Sequence, residues 1–434
     1  MARRESARGR AFARSVARTA VFNVFATAAL GVAGIVIART LGSTVRGEYA
    51  AIMAWFGTVL VVGELGQTAA TTYFVARSPE RGPRYLATSR VMMILTGLAV
   101  LSVGIGCASL LSAGNDAVAD GYRMVFATCL AAFVGASYTS SLLAVNLLRW
   151  NVVRVSQPVL FGVTVIGLHH LGQLSLTTIL LALSATIILQ SALAYVFCAT
   201  ERLTGGRADR ALVRPMTRFG LSHLAASVPA LLISRLDQLV LSVTVAPAVL
   251  GQYAVASSIT TLVVPIVSAV GSAAFPKLAS RTLSVSDHAR LQRHALWGSA
   301  AFATAMMAGI AGTATWLVPA VFGAGFHGAV TLVWLLAPAG VFLACGQVCG
   351  DLLRGQGRPI AVARAQGIAA VVTVLALIAL LPTMGTSGAA VATSAAALVA
   401  LAHMLRTLRR RPAEALPATT PPSRLAPVDG AIRN

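Results

Sequence analysis

Among the ionisable side chains inside long apolar stretches of this chain are Glu64, His223, Arg235 and Asp237. Charge in such surroundings is expensive and marks ion pathways, ligand contacts or buried pairs. Arg235 and Asp237 are two residues apart, about 200° around a helix, so each needs a partner other than its neighbour. Arg235 could contact an anionic group or snorkel outward. Asp237 could pair with a cation, a proton or a basic residue, or make a structural bond between helices. Glu64 lies beside Gly63 and Gly66. It is near mid-depth if its helix runs on to Arg77, and at the helix edge if the helix breaks at Gly66; it reads as a protonatable coupling group or a helix-end carboxylate. His223 precedes Asp237 by fourteen residues, nearly the same helical face, and reads as a proton relay or a hydrogen-bonded interior histidine. Asp237, Glu64 and His223 are thus the candidates for ion coupling. Arg39 and Arg123 end apolar stretches, as phosphate contacts or interfacial anchors, with Asp120 near Arg123. With Arg235 they are candidates for holding a substrate, as are Gln67 and Asn23. These two amides, like Asn146, Gln157 and Gln190, could bond sugar hydroxyls or bridge helices.

The elements that position these residues are membrane spans. Of 434 residues, 57% are hydrophobic and 11% charged, against roughly 25% charged in soluble chains. The mean hydropathy is +0.79. Twelve apolar stretches are each long enough to cross a bilayer: 19–38, 49–75, 91–111, 123–147, 152–171, 176–199, 219–243, 248–275, 295–318, 329–350, 362–381 and 387–405. Thirty of the 34 Lys and Arg fall in the termini and alternate connections that share one side. The positive-inside rule makes that side, and both termini, cytoplasmic. The net charge of +21 therefore reflects topology and anionic membrane lipids, not nucleic acid. Pro229, Pro265 and Pro338 interrupt spans and are expected bend points.

Two segment pairs recur at nearly one offset. Gly47-Glu48-Tyr49-Ala50 matches Gly251-Gln252-Tyr253-Ala254, 204 residues on, and Leu147-Leu148-Arg149 matches Leu352-Leu353-Arg354, 205 residues on. The expected fold is all-α and polytopic, with twelve transmembrane helices in two parallel six-helix repeats facing a central cleft. Residues 1–18 form a basic cytoplasmic N-terminus, 19–210 and 211–408 the two lobes, and 409–434 a disordered Pro- and Ala-rich tail.

Further residues carry a family likeness. Ala38-Arg39-Thr40-Leu41-Gly42, Gly47-Glu48-Tyr49, Glu64-Leu65-Gly66, Phe219-Gly220-Leu221, Gly251-Gln252-Tyr253 and Phe275-Pro276-Lys277-Leu278, with Asp237, resemble polysaccharide and O-antigen flippases of the Wzx type. Their superfamily also holds MATE exporters and MurJ-type lipid II flippases. The resemblance implies a plasma-membrane carrier that moves a polyprenyl-pyrophosphate-linked glycan to the outer leaflet by alternating access. It also implies polysaccharide polymerases and glycosyltransferases as partners. A cation-coupled multidrug exporter on the same scaffold, or a lipid II flippase, is the alternative; the latter usually carries two more helices. No Walker loop, catalytic triad or metal-site spacing is present, so neither an enzyme nor a cofactor is expected. The five cysteines lie in apolar stretches and read as packing residues.

Overall fold

The computed structural model describes residues 2–112, 114–268, 285–356 and 358–409. The tail expected to be disordered, and the Phe275-Pro276-Lys277-Leu278 segment, lie outside the described residues. No strand occurs among the described residues. The helices are α1 (Ala2–Gly63), α2 (Gln67–Arg77), α3 (Gly82–Leu111), α4 (Asp116–Val145), α5 (Leu147–His170), α6 (Leu176–Thr200), α7 (Arg210–Thr244), α8 (Pro247–Thr261), α9 (Val285–Phe322), α10 (His327–Gly355) and α11 (Pro359–Arg409). Nine stretches among the described residues are long and apolar enough to cross a membrane, or ten with the bent α7.

Local chemistry sets the helix starts. The side chains of Asn115, Asn146 and Asp209 accept backbone N–H bonds at the starts of α4, α5 and α7, and Ser175 with Thr178 forms a capping box for α6. Pro247 and Pro359 open α8 and α11, where a missing N–H costs nothing.

Two helices are too long for one crossing. α1 has 62 residues and α11 has 51, about 93 and 77 Å at 1.5 Å per residue. Each is interrupted at one left-handed glycine, Gly42 (φ 74°) and Gly385 (φ 56°). The neighbours show that the chain reverses at both. Before Gly42, α1 runs alongside α5 in the same direction: Asn151 donates to Thr19 Oγ1 (3.0 Å), Gly162 faces the Ala29 carbonyl, and Thr40 lies 3.0 Å from His169. After Gly42 it runs with α4, Ile52 against Gly121 and Gly63 against Phe133. α4 runs with α6, Gly135 lying against Ser191, while α6 is antiparallel to α5, as the Gln190–Val153 and Arg149–Glu201 contacts require. In α11, the Leu380 carbonyl lies 2.4 Å from where a Cβ on Gly388 would sit; on a straight helix those residues would be about 12 Å apart.

Apolar packing builds three large clusters. One joins α1 with α3–α6 around Phe126, Phe133 and Phe161. Another joins the later helices around Met307, Val348 and Leu352. A third gathers Tyr253, Val333 and Leu336 with Ala38, Ala50 and Ala51 of α1, so α1 also packs on the second half. Of the three prolines, only Pro229 adjoins a sharp bend: α7 turns by 65° between Leu231 and Ile233. α8 closes at Thr261, helix resumes over 263–268 with Pro265 inside it, and α10 runs unbroken through Pro338.

Candidate transport cavity and its closures

Small residues let the two halves meet backbone to backbone at two levels. At the first, a Cβ on Gly47 would lie 1.7 Å from the Pro247 carbonyl oxygen, and one on Gly251 would lie 2.0 Å from the Ser43 carbonyl oxygen. Ser43 and Pro247, like Gly47 and Gly251, are 204 residues apart, so the contact is reciprocal, as across a two-fold axis. At the second, Gly66, which is left-handed (φ 69°), would place a Cβ 2.1 Å from the Gly220 carbonyl oxygen. Nineteen residues separate Gly47 from Gly66, about 28 Å along a helix and close to the thickness of a hydrocarbon core.

Between these closures lies a cavity of about 950 Å³. Its walls come from α1, α2, α4, α5 and α6, with only Phe219 and His223 of α7 at one margin. The sequence reading placed a cleft between halves. Here this cavity lies mostly inside the first half, while a second space, described below, lies between α2 and α7. Tyr49, Thr72, Ser140, Gln157 and Gln190 supply its hydrogen-bonding surface, and Trp150 and Phe161 supply flat aromatic surface. Arg154 stacks over the Trp150 ring (4.5 Å) and donates to Asn151 Oδ1 (3.3 Å), while its Nε is buried without a protein partner.

Glu64 sits in the break between α1 and α2 and lines this cavity, accepting a bond from Thr68 Oγ1 (3.0 Å). Its helix does break at Gly66, and α2 then continues for eleven residues. Beside it, Gln67 is 1% exposed and neither end of its amide has a hydrogen-bond partner.

Tyr73 and Phe219 stack with centroids 4.6 Å apart and planes 17° from parallel. They line both the cavity and a second space of about 1020 Å³, as does His223. Arg77, Arg214 and Arg218 line that second space, and no carboxylate among the described residues does. Arg77 donates to the Tyr73 hydroxyl (3.0 Å). The stacked rings therefore stand between a largely apolar cavity with scattered polar groups and an arginine-lined vestibule.

The remaining candidates are scattered. Asp237 is buried and accepts three bonds, from Tyr253 Oη (2.5 Å), Thr393 Oγ1 (3.3 Å) and the Gln238 N–H (2.7 Å). It ties α7 to α8 and α11 and lines none of these spaces. The bend of α7 separates it from His223, so the two do not meet. Arg235 is exposed, on the opposite face from Asp237, and also lies outside them. Arg39 donates to the Ala320 carbonyl (2.9 Å), linking α1 to α9. Arg123 pairs with exposed Asp120 (2.7 Å), and Asn23 is exposed on α1.

Sequence reasoning missed Arg154, because span 5 was started at 152 and the arginine was counted with the preceding connection. Its signal was the Trp150–Arg154 spacing of four, one helical turn. It also missed the vestibule, whose arginines were counted only for topology.

The family model for polysaccharide biosynthesis proteins matches residues 12–282. The chain belongs to the polysaccharide biosynthesis protein family. Among solved structures, this family member is similar to a lipid II flippase MurJ in an inward closed conformation, with a TM-score of 0.77 and 13% identity over 90% of this chain and 87% of that one. It is similar to an inward-facing multidrug resistance MATE family transporter of the MOP superfamily, with a TM-score of 0.69 and 14% identity over 88% and 94%. A MOP superfamily transporter from Pyrococcus furiosus matches with a TM-score of 0.53 and 13% identity over 91% and 95%. At such identities the likeness is one of fold. A search of curated proteins found no match. Family and fold agree with the resemblance read in the sequence at the level of the polysaccharide biosynthesis protein family and of a fold shared with those flippase and exporter structures, and nine or ten described stretches are long and apolar enough to cross a membrane.

Proposed function

We propose that the chain is a flippase that carries polyprenyl-pyrophosphate-linked oligosaccharide or polysaccharide precursors from the inner to the outer leaflet of the plasma membrane. The observation that carries this reading is the vestibule of Arg77, Arg214 and Arg218, which no carboxylate among the described residues lines and which adjoins a largely apolar cavity carrying amides, hydroxyls and aromatic rings. Guanidinium groups suit phosphate oxygens. Aromatic faces and amides suit the apolar faces and hydroxyls of sugars. In this reading, reversals at Gly42 and Gly385 make twelve crossings, residues 19–210 and 211–408 form two lobes, and both termini are cytoplasmic. The vestibule then faces the inner leaflet, the Gly47–Gly251 contact is the outer closure, and the Gly66–Gly220 contact is the inner one. Asp237, with the Tyr253 and Thr393 hydroxyls, offers an oxygen site for a proton or hard cation that could drive the cycle. Glycosyltransferases would supply the cargo and a polymerase would receive it.

One observation favours a cation-coupled exporter instead: the carboxylate of Glu64 lines the cavity. Proteoliposomes distinguish the two. The chain is expected to exchange a fluorescent polyprenyl-pyrophosphate glycan between leaflets. Replacing Arg77, Arg214 and Arg218 together by glutamine should slow exchange more than tenfold, since each charge-assisted bond is worth about 1.5–3 kcal/mol. Ion-driven efflux of organic cations without exchange of the glycolipid would overturn the flippase reading.

A further inference from the structure

The reversal at Gly385 brings the two ends of α11 together. Arg358 Nη1 donates to the Thr407 carbonyl (2.8 Å), fixing the start of the helix against its last turn. Around that junction lies a cavity of about 590 Å³, lined by Arg358, Arg364, Arg406 and His403. No carboxylate among the described residues lines it. Elsewhere Arg149 pairs with Glu201 (2.9 Å) and Arg354 with Asp351 (2.8 Å). Arg364 and Arg406 have no ion-pair partner among the described residues. The N-terminus of α11 adds the positive end of a helix dipole to the same place.

An apolar surface runs away from this cavity. Ile360, Ile368, Val371, Leu375 and Ile378 are all exposed. Their spacing, at about 100° per residue, puts them on one helical face within roughly 80°. Arg364 lies on that face, one turn beyond Ile360. An apolar stripe alone is the ordinary surface of a membrane helix. This one leads into three guanidinium groups, and Ile360 at the rim is 67% exposed. A ligand that satisfies both parts has a phosphate at one end and hydrocarbon at the other. A basic pocket between helices at the membrane surface suits a lipid headgroup.

We propose that this pocket and stripe bind an acidic glycerophospholipid. Its phosphodiester sits among Arg358, Arg364 and Arg406, and an acyl chain lies along the Ile360–Ile378 face. The site is separate from the cavity and vestibule. It rests on the reading above only for which leaflet supplies the lipid.

Titration of the delipidated full chain, followed by native mass spectrometry, tests this. Phosphatidylglycerol is expected to bind saturably and at least tenfold more tightly than phosphatidylcholine, less so as salt rises. Arg364→Gln with Arg406→Gln should weaken it tenfold or more, while Arg364→Lys with Arg406→Lys retains most of the binding. If the glutamine variant fails to fold, phosphatidylglycerol should still protect Arg364 and Arg406 of the unaltered chain from arginine-modifying reagent. Equal binding of the two lipids, or no protection, overturns the proposal. So does displacement by stoichiometric polyprenyl phosphate, or burial of the stripe in a dimer. Glycolipid exchange is read separately. Its loss with lipid binding intact counts against the flippase alone, and the converse counts against this site alone.

Discussion

Gly251→Ala is expected to cut leaflet exchange at least fivefold and to open the outer closure. The added Cβ would lie 2.0 Å from the Ser43 carbonyl oxygen and 3.0 Å from the Gly47 nitrogen. Both are backbone atoms, so no side-chain rotation relieves the overlap. The α1 and α8 segments must part, and overpacking of this kind costs about 1–3 kcal/mol. That cost falls on the closed state alone, which shifts the closed-to-open ratio about fivefold to 160-fold. In a cysteine-free background, Glu48→Cys should react with an impermeant maleimide at least five times faster when Gly251→Ala is present. Gly47→Ala should do the same, because its Cβ would lie 1.7 Å from the Pro247 carbonyl oxygen. Gly106→Ala is the matched control, with no atom within 4 Å of its Cβ position. Wild-type labelling and exchange in Gly251→Ala would show that the two glycines do not seal the outer end.

The same glycines show what the sequence did and did not reveal. Gly47 and Gly251 were legible as a repeat, because a recurring Gly-X-Tyr-Ala at one offset survives in the letters. That the two copies touch was not legible, because a repeat gives equivalence and not proximity. Hydropathy was enough to find long apolar helices, since bilayer thickness acts on every helix separately. The same logic hid the site. Arg77 and Arg214 are 137 residues apart, and each is explained locally as a topology charge. Only packing of α2 on α7, through Tyr73 and Phe219, puts them around one space. Arg235 drew attention for the opposite reason. It is conspicuous as a cation within an apolar run, yet a two-residue offset from buried Asp237 turns it away from the interior. Charge in a span measures cost. It does not say which side of the helix bears that cost.

Asp237 is where cost and role can be separated, through paired substitutions. Asp237→Ala should lower stability by about 2–4 kcal/mol, because the Tyr253 hydroxyl is left in the interior without its acceptor and a small void opens. Tyr253 is 0% exposed, so water cannot replace that acceptor. The thermal midpoint in detergent should fall by several degrees. Asp237→Asn keeps the shape and one acceptor oxygen. With that oxygen toward Tyr253 and Thr393, the amide nitrogen meets the Gln238 N–H and one backbone bond is lost, a cost of about 0.5–1.5 kcal/mol. Asparagine can neither carry the negative charge nor release a proton. If Asp237 couples transport to an ion, Asp237→Asn stays folded but loses at least ten-fold of gradient-driven exchange, and its residual rate no longer responds to pH or sodium. We expect that outcome, because a carboxylate held by hydroxyls from two other helices is a costly way to make a joint that an amide could make. Normal gradient response in Asp237→Asn, with Asp237→Ala merely unstable, would reduce the residue to a structural tie between α7, α8 and α11.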